Sequence, residues 1–213
     1  MITSAVTAEE ISSLLLQIKA IKLNPQNPFT WASGWKSPIY CDNRVSLTYP
    51  GIRSSIKNHF CKIISEKFSQ TNLIAGVATA GIAHGALIAD KMNLPFVYVR
   101  FAPKKHGMEN LIEGKITGGE NVVVVEDLIS TGKSSLVVVN ALKEAGCNVL
   151  GLAAIFTYNF EIAEKSFREI NCPFYTLTDY TTLISLAVKN GTVQQNDLLT
   201  LQNWRMKPGE WGR

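Results

Sequence analysis

The chain has 213 residues, long enough for one large hydrophobic core, and its 46% hydrophobic and 18% charged content is ordinary for a soluble globular protein. A formal charge of +4 with no Lys/Arg stripe argues against a nucleic-acid partner. The opening MITSAVTAEEISSLLLQIKAIKL is broken by Glu9, Glu10 and Lys19, so it reads as neither a signal peptide nor a membrane span, and no membrane partner is expected.

Thr7-Ala8-Glu9-Glu10 fits a capping box, and Ile11, Leu14, Leu15, Ile18 and Ile21 follow on one face, which predicts an amphipathic opening helix. Pro25, Pro28, Pro38 and Pro50 punctuate residues 24–50, predicting a small irregular β element outside the main sheet. Cys41, the first of four cysteines, lies there. With Cys61, Cys147 and Cys172 it lacks CxxC or CxxH neighbours, so the thiols are expected reduced, in the cytoplasm, without a zinc site or disulfides. Residues 51–68 carry Ile52, Ile56, Phe60, Ile63 and Ile64 at helical spacing.

From there strands and helices alternate. A strand over 73–78 ends in Thr79-Ala80-Gly81, a helical run reaches Met92, and 95–100 reads as the next strand. Later come a strand from Val122, a helix near 134–145, strand 149–158, a helix near 160–169, strand 173–178 and a helix near 181–189. This alternation predicts βαβ units, an α/β fold with a parallel sheet flanked by helices. The C-terminal NWRMKPGEWGR leaves two readings: Trp204 and Trp211 pack back, or they mark a contact.

Residues 101–121, FAPKKHGMENLIEGKITGGEN, break the rhythm with a connection about twice the usual length. Four glycines are spread through it, and Lys104-Lys105-His106 lies near its start. A linker joins domains, whereas this stretch joins two strands of one sheet, so a lid is the better reading. A solvated charged hairpin is the plain alternative.

The most informative segment is VVVVEDLISTGKSS, residues 122–135. Four consecutive Val residues predict a strand buried on both faces, stopping at Glu126 and Asp127. The turn Ser130-Thr131-Gly132 then leads into a helix. Acids would lie at the carboxyl end of a strand and free N–H groups at a helix start, where open α/β sheets bind ligands and phosphates. The acids suit sugar hydroxyls or a metal ion, the turn suits a phosphate, and together they imply a sugar phosphate. A Walker P-loop needs a glycine five residues before its GK glycine, and Asp127 stands there instead. A plain strand–turn–helix junction with exposed acids is the remaining alternative.

This strand, acid pair and S-T-G-x-S turn resemble the phosphoribosyl-pyrophosphate motif of type I phosphoribosyltransferases. RFAPKKHG, from Arg100, resembles the Arg-x-x-x-Lys-x-His-Gly start of the mobile catalytic loop in the orotate branch of that family. FTWASGWKSPIYCDNR, residues 29–44, is similar to the branch's N-terminal F-T-x-x-S-G-x-K-S-P-x-Y segment.

The resemblance implies one domain over 1–213, with an N-terminal helix and β-containing hood over about 1–50, an α/β core over about 51–200 and a flexible loop at 101–121. It implies transfer of the phosphoribosyl group from 5-phosphoribosyl 1-diphosphate to N1 of orotate, in pyrimidine biosynthesis. Glu126 and Asp127 would hold the ribose hydroxyls, and Leu128, Ile129, Ser130, Thr131, Gly132, Lys133 and Ser134 would form the cradle whose turn grips the 5-phosphate. Arg100, Lys104 and His106 would contact the diphosphate, the loop coming from the neighbouring subunit of a homodimer. Lys104, His106 and Asp127 would be catalytic. Ser130, Lys36 and Tyr40 would face orotate, GVATAGI at 76–82 would lie near the diphosphate, and Mg²⁺ would be held mainly by diphosphate and ribose oxygens. Phe101, Ala80 and Ala32 stand where relatives carry lysines, and no arginine occurs around Thr157-Tyr158-Asn159, where some members contact orotate.

Blander roles exist for several of these groups. Arg100 could pair with a helix acid, Ser134 could merely start a helix, and Trp31, Trp35 and Tyr40 could form a hydrophobic mini-core instead of a stacking platform. The competing functions are a phosphoribosyltransferase for another base and a phosphoribosyl-pyrophosphate-sensing regulator. The latter lacks a recognition helix before the proline-rich segment.

Overall fold

The computed structural model describes residues 2, 4–31, 33–102 and 111–211. Helix α1 (Ala5–Gln17) starts at Ser4, whose hydroxyl accepts from the Thr7 N–H at 3.1 Å. The cap therefore precedes the expected one, and Thr7 is a buried residue inside the helix. Ile21 also departs from the expected helical face. The chain turns at Lys19, φ 56°, and Ile21 opens β1 (Ile21–Leu23).

Two antiparallel ribbons follow, β1 with β4 (Ile39–Cys41) and β2 (Phe29–Thr30) with β3 (Lys36–Ser37), both separate from the main sheet. They are the small β element expected over 24–50, except that its first strand begins earlier, at Ile21. A 3-10 turn, Asn43–Thr48, leads to α2 (Pro50–Lys67). Pro50 stands in its first turn, where a missing N–H costs nothing.

The main sheet contains β5 (Leu73–Val77), β6 (Phe96–Val99), β7 (Ile112–Glu113), β8 (Asn121–Ile129), β9 (Asn148–Thr157) and β10 (Phe174–Asp179), in the order β10-β9-β8-β5-β6-β7. All pairs are parallel except β6–β7. Its helices are α3 (Ala80–Met92), α4 (Lys133–Glu144), α5 (Glu161–Glu169) and α6 (Tyr180–Lys189), with α7 (Leu198–Met206) beyond.

The Val run alternates between two cores. Val123 and Val125 join Ile56, Phe60 and Ile88 on one face, while Val122 and Val124 join Val138, Leu142 and Phe167 on the other. Each buried side chain of this kind contributes about 1.5–3 kcal/mol, enough together to hold an acid at the strand's end. Contrary to expectation, β8 does not stop at that acid pair. Glu126, Leu128 and Ile129 still pair with Ala154, Phe156 and Thr157, because β9 offers ladder partners that satisfy the backbone further on.

Two elements escaped the sequence pattern. Strand β7 lies inside residues 101–121 and adds an antiparallel edge to β6, which makes that connection shorter than expected. Residues 103–110, with Lys104 and His106, lie outside the described residues. Helix α7 packs back on the hood: Trp204 is buried, and its indole N–H donates to the Lys36 carbonyl at 3.2 Å. Its ring lies 5.6 Å from both Trp31 and Tyr158. Among the described residues no helix is long and apolar enough to cross a membrane.

Candidate active site

Glu126 is buried, with 4% of its surface exposed. One of its oxygens accepts the Asp127 N–H at 3.0 Å and the other the Ser135 hydroxyl at 3.3 Å. Burial first, then the adjacent Asp127 charge, pushes its carboxyl well above the usual carboxylate range. Burial also raises Asp127. The Asn43 amide donates to the Asp127 carbonyl at 2.8 Å, so the turn after β4 grips the strand at its acids.

Beyond Ile129 the chain bends through Ser130, Thr131 and Gly132. Gly132 has φ +80°, and a Cβ there would lie 2.9 Å from the Phe167 ring, so this position needs glycine twice over. No side chain caps α4, which leaves its first-turn N–H groups open. Helix α3 starts at Thr79, likewise without a side-chain cap. Gly81 allows that start to press against β8, since a Cβ there would collide with the Val125 carbonyl oxygen. Two uncapped helix starts therefore face one cleft beside two carboxylates, each carrying roughly half a positive charge.

That cleft encloses about 410 Å³. Its walls are Ala78, Thr79 and Ala80 on one side, Glu126, Asp127 and Leu128 at the base, and Ser130, Thr131, Gly132, Lys133 and Ser134 on the other, with Phe101 at the lip. A second cavity of about 260 Å³ adjoins it, sharing Leu128 and Ser130 and walled by Thr30, Trp31, Tyr40, Cys41 and Tyr158. A larger groove, about 600 Å³, lies between α5 and the amino end of β10. Ligands of open α/β sheets bind at carboxyl ends, so this groove is not the reaction site.

Most of the expected residues meet here. The Ile129 side chain does not, because it is fully buried in the core below. Arg100 forms an ion pair with Glu113 at 3.6 Å, on a strand rather than a helix, and its buried Nε and Nη2 find no hydrogen-bond partner among the described residues. Lys36 is exposed, and its Nζ donates to Thr30 at 2.8 Å at the rim of the smaller cavity, whereas Tyr40 lines that cavity directly. Trp31 lines the cavity and packs on Tyr158 at 5.2 Å. Asn43, Ser135, Thr30, Cys41 and Tyr158 were missed. All of them lie in or beside stretches the sequence had pointed to, 29–44, 122–135 and 157–159, but none had been given a role of its own.

A family model described as a phosphoribosyl transferase domain matches residues 52–179. The orotate phosphoribosyltransferase of Bacteroides fragilis is 54% identical over 197 residues, covering 92% of this chain and 93% of its own. That of Bacillus caldolyticus is 54% identical over 203 residues, covering 95% and 98%. Among solved structures, the orotate phosphoribosyltransferase of Aeropyrum pernix superposes with a TM-score of 0.75 at 24% identity, covering 86% of this chain and 99% of that one. The Mycobacterium tuberculosis enzyme in complex with 5-phospho-α-D-ribosyl 1-diphosphate does so with a TM-score of 0.64 at 20% identity, covering 83% and 98%. With its acid pair, open helix starts and aromatic side cavity in one place, the chain belongs to the phosphoribosyl transferase family, in its orotate phosphoribosyltransferase branch.

Proposed function

We infer that the chain runs the reaction of its branch, moving the phosphoribosyl group of 5-phosphoribosyl 1-diphosphate to N1 of orotate, and that its two clefts divide the work. The observation that carries this reading is a carboxylate pair and two uncapped helix starts in one cleft, joined through Leu128 and Ser130 to an aromatic cavity. Glu126 and Asp127 hold the ribose hydroxyls. Open N–H groups of the 130–134 turn, with Lys133, hold the 5-phosphate. The start of α3 and Arg100, with its unfilled donors, serve the diphosphate. Ser130 and Tyr40 face the base, with Lys36 near the rim.

As the C1–O bond breaks, its electron pair leaves on diphosphate and N1 of the base closes on C1. Positive charge builds on the sugar ring, as in glycoside cleavage, where a carboxylate such as Asp127 is stabilising. Negative charge builds on the leaving group, where helix starts and Arg100 act electrostatically. The donor set fits Mg²⁺: two adjacent carboxylates take no hydrogen bond from a cationic side chain, and no three-donor cage occurs among the described residues. Glu126 or Asp127 would hold it together with ligand oxygens, and when bound it neutralises diphosphate charge.

We further propose that residues 1–213 act as one domain, supported by the Trp204 bond to the Lys36 carbonyl, in a reducing cytoplasmic setting that suits four free thiols. Lys104 and His106 reach the cleft from the partner subunit of a homodimer, a reading supported by the RxxxKxHG pattern. Lys104→Ala and Asp127→Asn homodimers should then each be nearly inactive. Mixing them through denaturation and refolding should restore roughly a quarter of wild-type activity, because a hybrid dimer holds one intact site. No recovery would remove the shared loop. The overall reading is tested by offering orotate, uracil, adenine and hypoxanthine with 5-phosphoribosyl 1-diphosphate and Mg²⁺. Orotate should be consumed, and an inert orotate beside a consumed purine would end it.

A further inference from the structure

Several polar handles of the aromatic cluster under the hood are held by backbone carbonyls. The Trp31 indole N–H donates to the Ile39 carbonyl at 3.1 Å, Trp204 to Lys36 at 3.2 Å, and the Tyr180 hydroxyl to the Leu201 carbonyl at 3.0 Å. Tyr158 stands among them with 1% of its surface exposed, yet its hydroxyl makes no hydrogen bond to any described residue. The ring is buried while the residue lines the smaller cavity, so the hydroxyl is free to meet a ligand there instead of a protein group.

Its direction is fixed. The ring stacks on Phe160 at 5.3 Å, with Trp31 at 5.2 Å and Phe156 edge-on at 5.3 Å, so it cannot swing aside. The electrostatic neighbours of the hydroxyl include Cys41, Asp127 and Tyr40, which places it toward the smaller cavity and the ribose acids. Tyr158 lines that cavity. None of the lining residues is Lys, Arg, His, Asp or Glu, so polar recognition there falls to neutral groups. Burial raises the pKa of the hydroxyl well above the usual tyrosine value, which keeps it protonated and a donor.

We propose that Tyr158 is the residue that selects the base, its hydroxyl donating a hydrogen bond to an exocyclic oxygen of the incoming pyrimidine. The proposal rests on the function inferred above and adds to it a neutral donor in the base cavity. Tyr158→Phe removes the oxygen and keeps the ring. The KM for orotate should rise roughly 5- to 100-fold, the loss of one buried hydrogen bond, while the KM for 5-phosphoribosyl 1-diphosphate stays within about 2-fold. A merely structural residue would shift both constants, or neither. An orotate KM equal to wild type, or an equal rise in both, would overturn the proposal. A crystal of the wild-type protein with orotate gives a second reading independent of the variant's folding. A hydroxyl within about 3 Å of a base oxygen supports the proposal, and one beyond hydrogen-bond range sinks it. Wild-type turnover of orotate is measured first: its absence defeats the inferred function, whereas turnover with an unaltered Y158F defeats only this role.

Discussion

Replacing Glu126 by Gln is expected to stabilise the fold while lowering kcat/KM on the order of 100-fold. Glutamine keeps an acceptor for the Asp127 N–H, and its amide can donate to the Ser135 hydroxyl, so the local hydrogen bonds survive. What disappears is the cost of ionising a carboxyl in the protein interior beside a second carboxylate. Removing it should add about 1–2 kcal/mol, or a melting midpoint higher by about 2–8 °C for a chain of this size. The same charge is what strengthens hydrogen bonds from ribose hydroxyls, each worth about 1.5–3 kcal/mol to an ionised acceptor, so activity falls.

The sign of the pH dependence follows from burial. The carboxyl of Glu126 lies above its unfolded value in the folded protein. Its folded state therefore keeps a proton that the unfolded chain has already released, and the wild type loses stability as pH rises through the folded value. In acid, below the unfolded value, both states are protonated and the advantage of E126Q should vanish. It should open as pH climbs. Calorimetry of both proteins in acid and at mildly alkaline pH reads this directly. A midpoint difference that ignores pH would show that the charge is not the cause, and full activity in E126Q would remove Glu126 from the ribose site.

Gly132→Ala should damage both the fold and the phosphate turn. Alanine at φ +80° costs about 1–2 kcal/mol, and its Cβ would meet the Phe167 ring at 2.9 Å, closer than carbon atoms pack. The turn must shift, carrying with it the N–H groups that start α4. The expected result is a loss of about 1–3 kcal/mol in stability and a rise of roughly 10- to 100-fold in the KM for 5-phosphoribosyl 1-diphosphate. Adding Phe167→Leu would relieve the ring contact but not the backbone conformation, so stability should recover in part and the KM should not. A G132A protein that binds this substrate like wild type would mean that the turn is not the phosphate site.

The acid-pair side of the site was legible because it is contiguous. Val122 through Ser135 encode strand, acids, bend and helix start within one short stretch, and each step is a local preference: β-branched burial, a left-handed glycine, an open helix end. Where the reading erred, distance along the chain was the reason. The strand ran past its acids because β9, some thirty residues later, supplied hydrogen-bond partners that no local propensity announces. The helix cap moved from Thr7 to Ser4 because Thr7 is needed inside the core. Strand β7 is two residues long and exists only because β6 lies beside it.

The sequence by itself determined an alternating α/β chain, a doubly buried strand and a phosphate-type turn next to two carboxylates, since these depend on neighbours a few residues apart. Only the tertiary structure decided what walls the smaller cavity. That cavity draws Thr30 and Trp31 from the hood, Leu128 from the central strand and Tyr158 from the end of the next, with Trp204 of the last helix packed behind. Aromatic side chains bury wherever apolar surface awaits them, so their spacing carries no address. Which of them come to wall one cavity emerges only when these distant segments pack together.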